Sequence, residues 1–475
     1  MAPSTSASAD LRVRGLLALL LLYLVIAHVL PRPEAITPQG WRTAAIFACV
    51  IAGMVVEPIP ASALVLLGLT AMSANGTPMR EALGGFSEPS VWLVILAMLI
   101  ARAMLDTGLA RRIALLFIRA VGQSSLGISY ALLMTDVTLA SGVPSITARS
   151  AGMLLPVARR IAELFDSHPG PTAGRLGTFL VAGLYQGSAI ACAMFFTGQA
   201  SNVLGASLAG KLVNVQVTWS SWLVAAVVPG LVSCAVVPWV VHRLVQPAIV
   251  RTPEAPRFAA SELRNMGPLS RDEWVTLGVF AGVGLLWITS GWHRLDITFV
   301  ALLGLGVLVA TGTMAWQTAT SERAAWDVFV WYGGLLRMGE ILNGTGTTKL
   351  FAESVGAMFV GIPWVIVLLA ILVIYFYSHY AFASITAHVL AMFPPFVVLL
   401  VSIGVPPPLA VYSLLCLANL PAGLTHYGTT TGPILFGVGY VSFADWWRVG
   451  FVVSLANLAI WLTVGFAWWK ALGYW

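Results

Sequence analysis

Apolar runs separated by short polar connections make up most of this chain: 15–30, 43–56, 61–72, 91–104, 179–196, 222–241, 274–288, 297–309, 365–375, 389–403, 409–420 and 449–467. A helix needs roughly 20 apolar residues to cross a bilayer, so the pattern predicts about eleven full spans with partial helices between them. A β-barrel would instead alternate in segments of about ten residues. The expected fold class is therefore an all-α polytopic membrane bundle of the transporter type.

The polar interruptions repeat. "VPSITARSAGMLLP" at 143–156 returns as "FASITAHVLAMFPP" at 382–395, where Ser145/Ser384, Ile146/Ile385, Thr147/Thr386, Ala148/Ala387, Met153/Met392 and Pro156/Pro395 agree at a spacing of 239. "TGLARRIA" from Thr107 and "TGTTKLFA" from Thr345 agree at a spacing of 238. Two matches with nearly one offset, about half the chain, predict an internal duplication whose seam is the polar connection 251–274. If each half holds an odd number of spans, the copies are inverted and build one mid-membrane site between them.

Pro144 favours extended backbone at Val143, so the first copy reads as the turn of a re-entrant helical hairpin, with Ser145 capping the helix that follows. Each half also holds a second break, "FFTGQASNVLG" at 195–205 and "THYGTTTGPILFG" at 425–437. Hydroxyls and an amide mark these breaks: Ser201, Asn202, Thr429, Thr430 and Thr431. The free N–H groups and positive dipole end of an interrupted helix attract carboxylate. Four such breaks, paired by symmetry, suit a mid-membrane anion site.

Composition agrees with a membrane solvent: 59% of the 475 residues are hydrophobic and 9% are charged, with mean hydropathy +0.88. The net charge of +6 sits in short connections, as in Arg111-Arg112 and Arg159-Arg160, and reflects topology rather than nucleic-acid binding. Arginines in the 251–274 connection, with Arg12 and Arg14, place that loop and the amino terminus in the cytoplasm. The leader "MAPSTSASAD" lacks the pattern of a cleaved signal, so the first span is expected to remain as an anchor. The four cysteines lie in apolar segments without metal-ligand spacing, and neither a metal nor a cofactor is expected.

From Trp41 to Trp447 the chain resembles the divalent anion/sodium symporter family, and in particular its exchanger branch. The phrases that carry the likeness are "GFSEPSVWLVILAMLIARAMLDTGLARRIALLFIRAVG", "VPSITARSAGMLLPV", "YFYSHYAFASITAH" and "NLPAGLTHYGTTTGPILFGVGYV". The resemblance implies a homodimer, an inverted repeat with two re-entrant hairpins, and elevator movement of a transport domain against a scaffold. Divided accordingly, 1–124 and 274–360 are scaffold helices, 125–248 and 361–475 are transport regions, and 249–273 is the linker. It also implies a substrate among di- or tricarboxylates and a location in the bacterial inner membrane. Carried over by position, Ser145 and Thr147 fall on the first hairpin tip, and Ser384 and Thr386 on the second. The family's tip asparagine is replaced by Ile146 and Ile385, which offer no side-chain oxygen to sodium.

Arg149 and His388, at equivalent positions one turn beyond each tip, are expected to supply fixed positive charge to the dianion. Returning empty with an uncompensated charge that costs ~3 kcal/mol would slow the carrier roughly 150-fold, making it an obligatory exchanger. The structural alternative has Arg149 capping backbone carbonyls. A sodium-coupled dicarboxylate symporter is the competing function. An embedded hydrolase is excluded by the lack of a nucleophile–base set or metal-ligand pairs.

Overall fold

The computed structural model describes residues 5–359 and 361–475; the first four residues of the leader and Val360 lie outside. The described residues form helices joined by short turns, with an isolated bridge between Ser124 and Arg251. Among the described residues, nine helices are long and apolar enough to cross a membrane, and Ala61–Ala74, Ser125–Ala140 and Ile297–Ala310 are shorter apolar helices. Two of the nine, Trp364–Ala381 and Ile385–Ser402, are the arms of a hairpin. Length and hydropathy do not distinguish such an arm from a span, because both bury apolar side chains over similar distances.

After the first helix, both halves run through the same order of elements. Pro38–Val56, Ala61–Ala74 and Pro89–Asp106 correspond to Arg271–Ile288, Ile297–Ala310 and Arg323–Gly344. A short helix follows in each, Leu109–Val121 and Thr347–Gly356, entered through a left-handed glycine, Gly108 or Gly346. Then come a hairpin, a broken helix and a final long helix, beginning at Trp219 in one half and at Phe443 in the other. Neither hairpin crosses, so each half makes an odd number of passes and the halves are inverted.

The seam connection forms the helix Glu254–Met266, which holds the foot of the first hairpin and the helix Leu109–Val121. Ser125 N–H donates to Val250 O at 3.0 Å and Thr252 N–H donates to Gln123 O at 2.9 Å. Arg112 forks onto Glu273 at 2.6 and 3.0 Å, and Arg111 pairs with Glu262. A planar guanidinium matched to a carboxylate in this two-pronged way fixes orientation as well as distance. On the opposite side, Tyr412 OH donates to Ser221 Oγ at 2.7 Å.

Helix packing is close where glycines permit it. A Cβ on Gly450 would lie 2.6 Å from Gly423 O and 2.7 Å from Leu424 O, so the helix Phe443–Ile460 rests directly on the backbone before the second break. Backbone contact of this kind takes the place of the hydrophobic drive that lipid cannot supply.

Candidate functional site

The first hairpin rises through Ser125–Ala140, turns at 141–146 and descends through a π-helical turn, Thr147–Leu154, into Leu155–Leu164. Ser145 Oγ accepts from Ala148 N–H at 3.2 Å, and in the second hairpin Ser384 Oγ accepts from Ala387 N–H at 3.4 Å. Each tip serine therefore caps the helix after its turn. The broken helices are Gly177–Met194 with Ala200–Val213, and Pro407–Leu417 with Gly432–Gly437.

Thr147 joins the two repeats. Its hydroxyl lies 2.9 Å from Thr430 Oγ1 and 2.8 Å from Thr431 Oγ1 in the opposite half's break. Thr429 Oγ1 accepts from the N–H groups of Thr431 and Gly432 at 3.2 and 3.1 Å, and Tyr185 OH lies 3.2 Å away. This cluster borders a chamber of about 440 Å³ walled by Ser145, Thr147 and Ile434 on one side and by Met98, Arg102 and Glu322 on the other. Arg102 pairs with Asp106 at 2.9 Å and with Glu322 at 3.1 Å.

Asn202 serves the break itself: its amide donates to Cys192 O at 2.8 Å and Phe195 O at 2.9 Å, while Asn419 Nδ2 donates to its oxygen at 2.8 Å. Ser201 is fully buried beside it. Thr386 is buried and Ser384 half-buried, and the described hydrogen bonds do not join either to the Thr147 cluster. Ile146 and Ile385, the residues in place of the tip asparagines, are both 2% exposed.

Arg149, expected to meet substrate, is not among the residues that line the chamber. It is 0% exposed and donates to Asp136 Oδ1 at 2.6 Å, Val143 O at 2.5 Å, Gly198 O at 2.7 Å and Cys192 Sγ at 3.2 Å. The guanidinium is thus neutralised by Asp136 and spent on backbone carbonyls. A buried cation requires such partners, because desolvation without them would cost several kcal/mol. His388 is likewise 0% exposed, with Nε2 at 2.8 Å from Tyr375 O and 3.0 Å from Ser378 Oγ.

The repeated basic position has a common architectural role. Arg149 bonds a residue 13 positions earlier, Asp136, and His388 bonds the one 13 positions earlier in its own half, Tyr375. Each hairpin's descending arm is tied in this way to its ascending arm. A second tie reaches the neighbouring break: Arg149 holds Gly198 O, and His379 Nε2 lies 2.8 Å from Gly428 O. The two glycines occupy the same place in "FFTGQ" and "THYGT".

Sequence reasoning did not single out Asp136, Tyr185, Gln186 or Asn419. Asp136 carried a signal, being an acid inside the apolar run before the first tip. The others lacked one, since their roles arise across the repeats: Tyr185 OH donates to Ala422 O and Gln186 to Gly423 O, both at 2.8 Å.

Residues 12–475 match the family model described as the sodium:sulfate symporter transmembrane region. Over 469 residues the chain is 39% identical to dicarboxylate transporter 1 of Arabidopsis thaliana chloroplasts, spanning 98% of this chain and 84% of that one. It is 32% identical over 474 residues to the citrate/succinate antiporter of Escherichia coli K12, spanning 95% and 96%. Among solved structures, the MtrF efflux pump of Neisseria gonorrhoeae aligns with a TM-score of 0.59 at 13% identity, covering 96% of this chain and 94% of that one. At that identity the likeness concerns the fold alone.

Proposed function

Because this chain belongs to the sodium:sulfate symporter transmembrane family, we propose that it is a secondary transporter that exchanges di- or tricarboxylates across a bacterial inner membrane. The observation that carries the site assignment is Thr147, which meets Thr430 and Thr431 from the opposite repeat at the wall of a chamber. Hydroxyls that bond one another, as Thr147 does Thr430 and Thr431, can turn to a carboxylate, and the helix starts beside them add N–H donors. Ser384, Thr386, Ser201 and Asn202 are assigned to the second tip and first break of the same site. Arg149 and His388 hold the hairpins rather than the substrate.

Exchange without sodium rests on Ile146 and Ile385, not on the charge of Arg149, which Asp136 cancels. Exchange also follows from an empty site whose polar groups would cross the membrane without a partner, at a cost that slows the return. In this reading the hairpins and broken helices move as an elevator against the remaining helices, in a homodimer. Labelled succinate, malate, 2-oxoglutarate and citrate should enter proteoliposomes preloaded with unlabelled substrate far faster than empty ones, and choline in place of sodium should change little. Strong sodium-dependent uptake into empty vesicles would instead establish the symporter.

A further inference from the structure

A second chamber, of about 550 Å³, lies between the first one and the seam helix. Its walls include Arg111 and Arg160 and, from the seam helix, Phe258. Two residues line both chambers, Leu105 on the helix Pro89–Asp106 and Gly152 on the π-helical turn after the first tip. The chambers are therefore neighbours along these two elements, the second on the linker side of the chamber that Thr147 borders.

Gly152 is exposed, and a Cβ built on it meets nothing nearer than Thr147 O at 3.9 Å. Its backbone lies outside the left-handed region, so neither φ nor close packing demands glycine here. At Gly450 or Gly177 the demand is plain, since a Cβ would strike backbone in one case and the Tyr440 ring at 2.2 Å in the other. What glycine leaves at position 152 is open space at a position that lines both chambers.

We propose that Gly152 is the size filter of the linker-side route: the missing side chain, opposite Leu105, sets the largest carboxylate that reaches the Thr147 cluster. The carboxylate part rests on the function proposed above, whereas the neck itself is a statement about access. The arginines beside the route do not make it strongly cationic. Arg102 is paired with Asp106 and Glu322, Arg111 with Glu262, and Arg160 lies 3.5 Å from Glu163. Selection at the neck is therefore by size.

Access is tested first, with Ala148→Cys as reporter in the inner chamber, Cys49 and Cys234 replaced by serine, and Cys192 and Cys416 left buried. A small methanethiosulfonate and a bulky biotin-maleimide are compared on the purified full chain. Adding Gly152→Leu should slow the bulky reagent about ten-fold more than the small one, Gly152→Ala should not, and Leu105→Ala should restore the bulky reagent's rate in the leucine variant. Equal slowing of both reagents, or none, would overturn the neck. In proteoliposomes Gly152→Leu should lower the citrate-to-succinate exchange ratio by a similar factor. Equal loss of both substrates would mean jammed movement and overturn the filter. Selective slowing of the bulky reagent by Gly152→Leu, where the protein with native Gly152 itself exchanges neither acid, would leave the neck standing and refute the carboxylate reading.

Discussion

Arg149 and Thr147 stand two residues apart and do opposite work. The guanidinium is enclosed with Asp136, so Arg149→Ala leaves an uncompensated buried carboxylate and should destabilise the protein by about 3–5 kcal/mol. Replacing both, as Asp136→Leu with Arg149→Met, should unfold later on heating in detergent than either single variant. A double variant no more stable than Arg149→Ala would show that the pair is not the reason for the arginine. Thr147→Val keeps the shape and removes the hydroxyl shared with Thr430 and Thr431. If that hydroxyl bonds a carboxylate, affinity should fall roughly 10- to 100-fold while stability falls by only about 1 kcal/mol. Unaltered affinity in a binding titration would move the site elsewhere.

Among elements, the breaks owe their shape to neighbours. Thr197 Oγ1 donates to Ser141 O at 2.7 Å and accepts from Trp219 Nε1 at 3.0 Å, so the first break is bonded to the first tip and to the helix that follows it. The second break is bonded by Tyr185 and Gln186 from the opposite half and is pressed by Gly450. Gly450→Ala places a methyl against two carbonyl oxygens and should cost about 1–3 kcal/mol, with lower transport because the displaced backbone leads into Thr429. Thermal unfolding and exchange measured on one preparation would check it; wild-type values in both would mean that the helix can retreat.

For the whole molecule, the inversion of the two halves makes movement the natural source of function. Lys211, at the end of the first broken helix, pairs with Glu340, on a helix assigned to the stationary part, and lies 3.4 Å from Glu88, the residue that caps another such helix, Pro89–Asp106. An elevator must break these pairs in every cycle. A reducible bis-methanethiosulfonate cross-link between Lys211→Cys and Glu340→Cys should therefore abolish uptake, and reduction should restore it. Full uptake by the cross-linked double variant would mean that these helices travel together.

Hydropathy and the repeat determined that this chain is a membrane bundle, that it is duplicated and where its hairpins turn, because burial in lipid leaves an apolar signature and both copies of a tip must solve the same capping problem. Ser145 and Ser384 were legible for that reason, as were the glycine breaks. Whether a basic residue meets substrate or a carboxylate 13 positions earlier was not legible. Arg149 looks the same in either role until Asp136 is brought to 2.6 Å. Nor could one dimension pair Thr147 with Thr430 and Thr431, more than 280 positions away. The tertiary structure decided these matters, because charge compensation and hydroxyl clusters depend on distances between segments that the sequence keeps far apart.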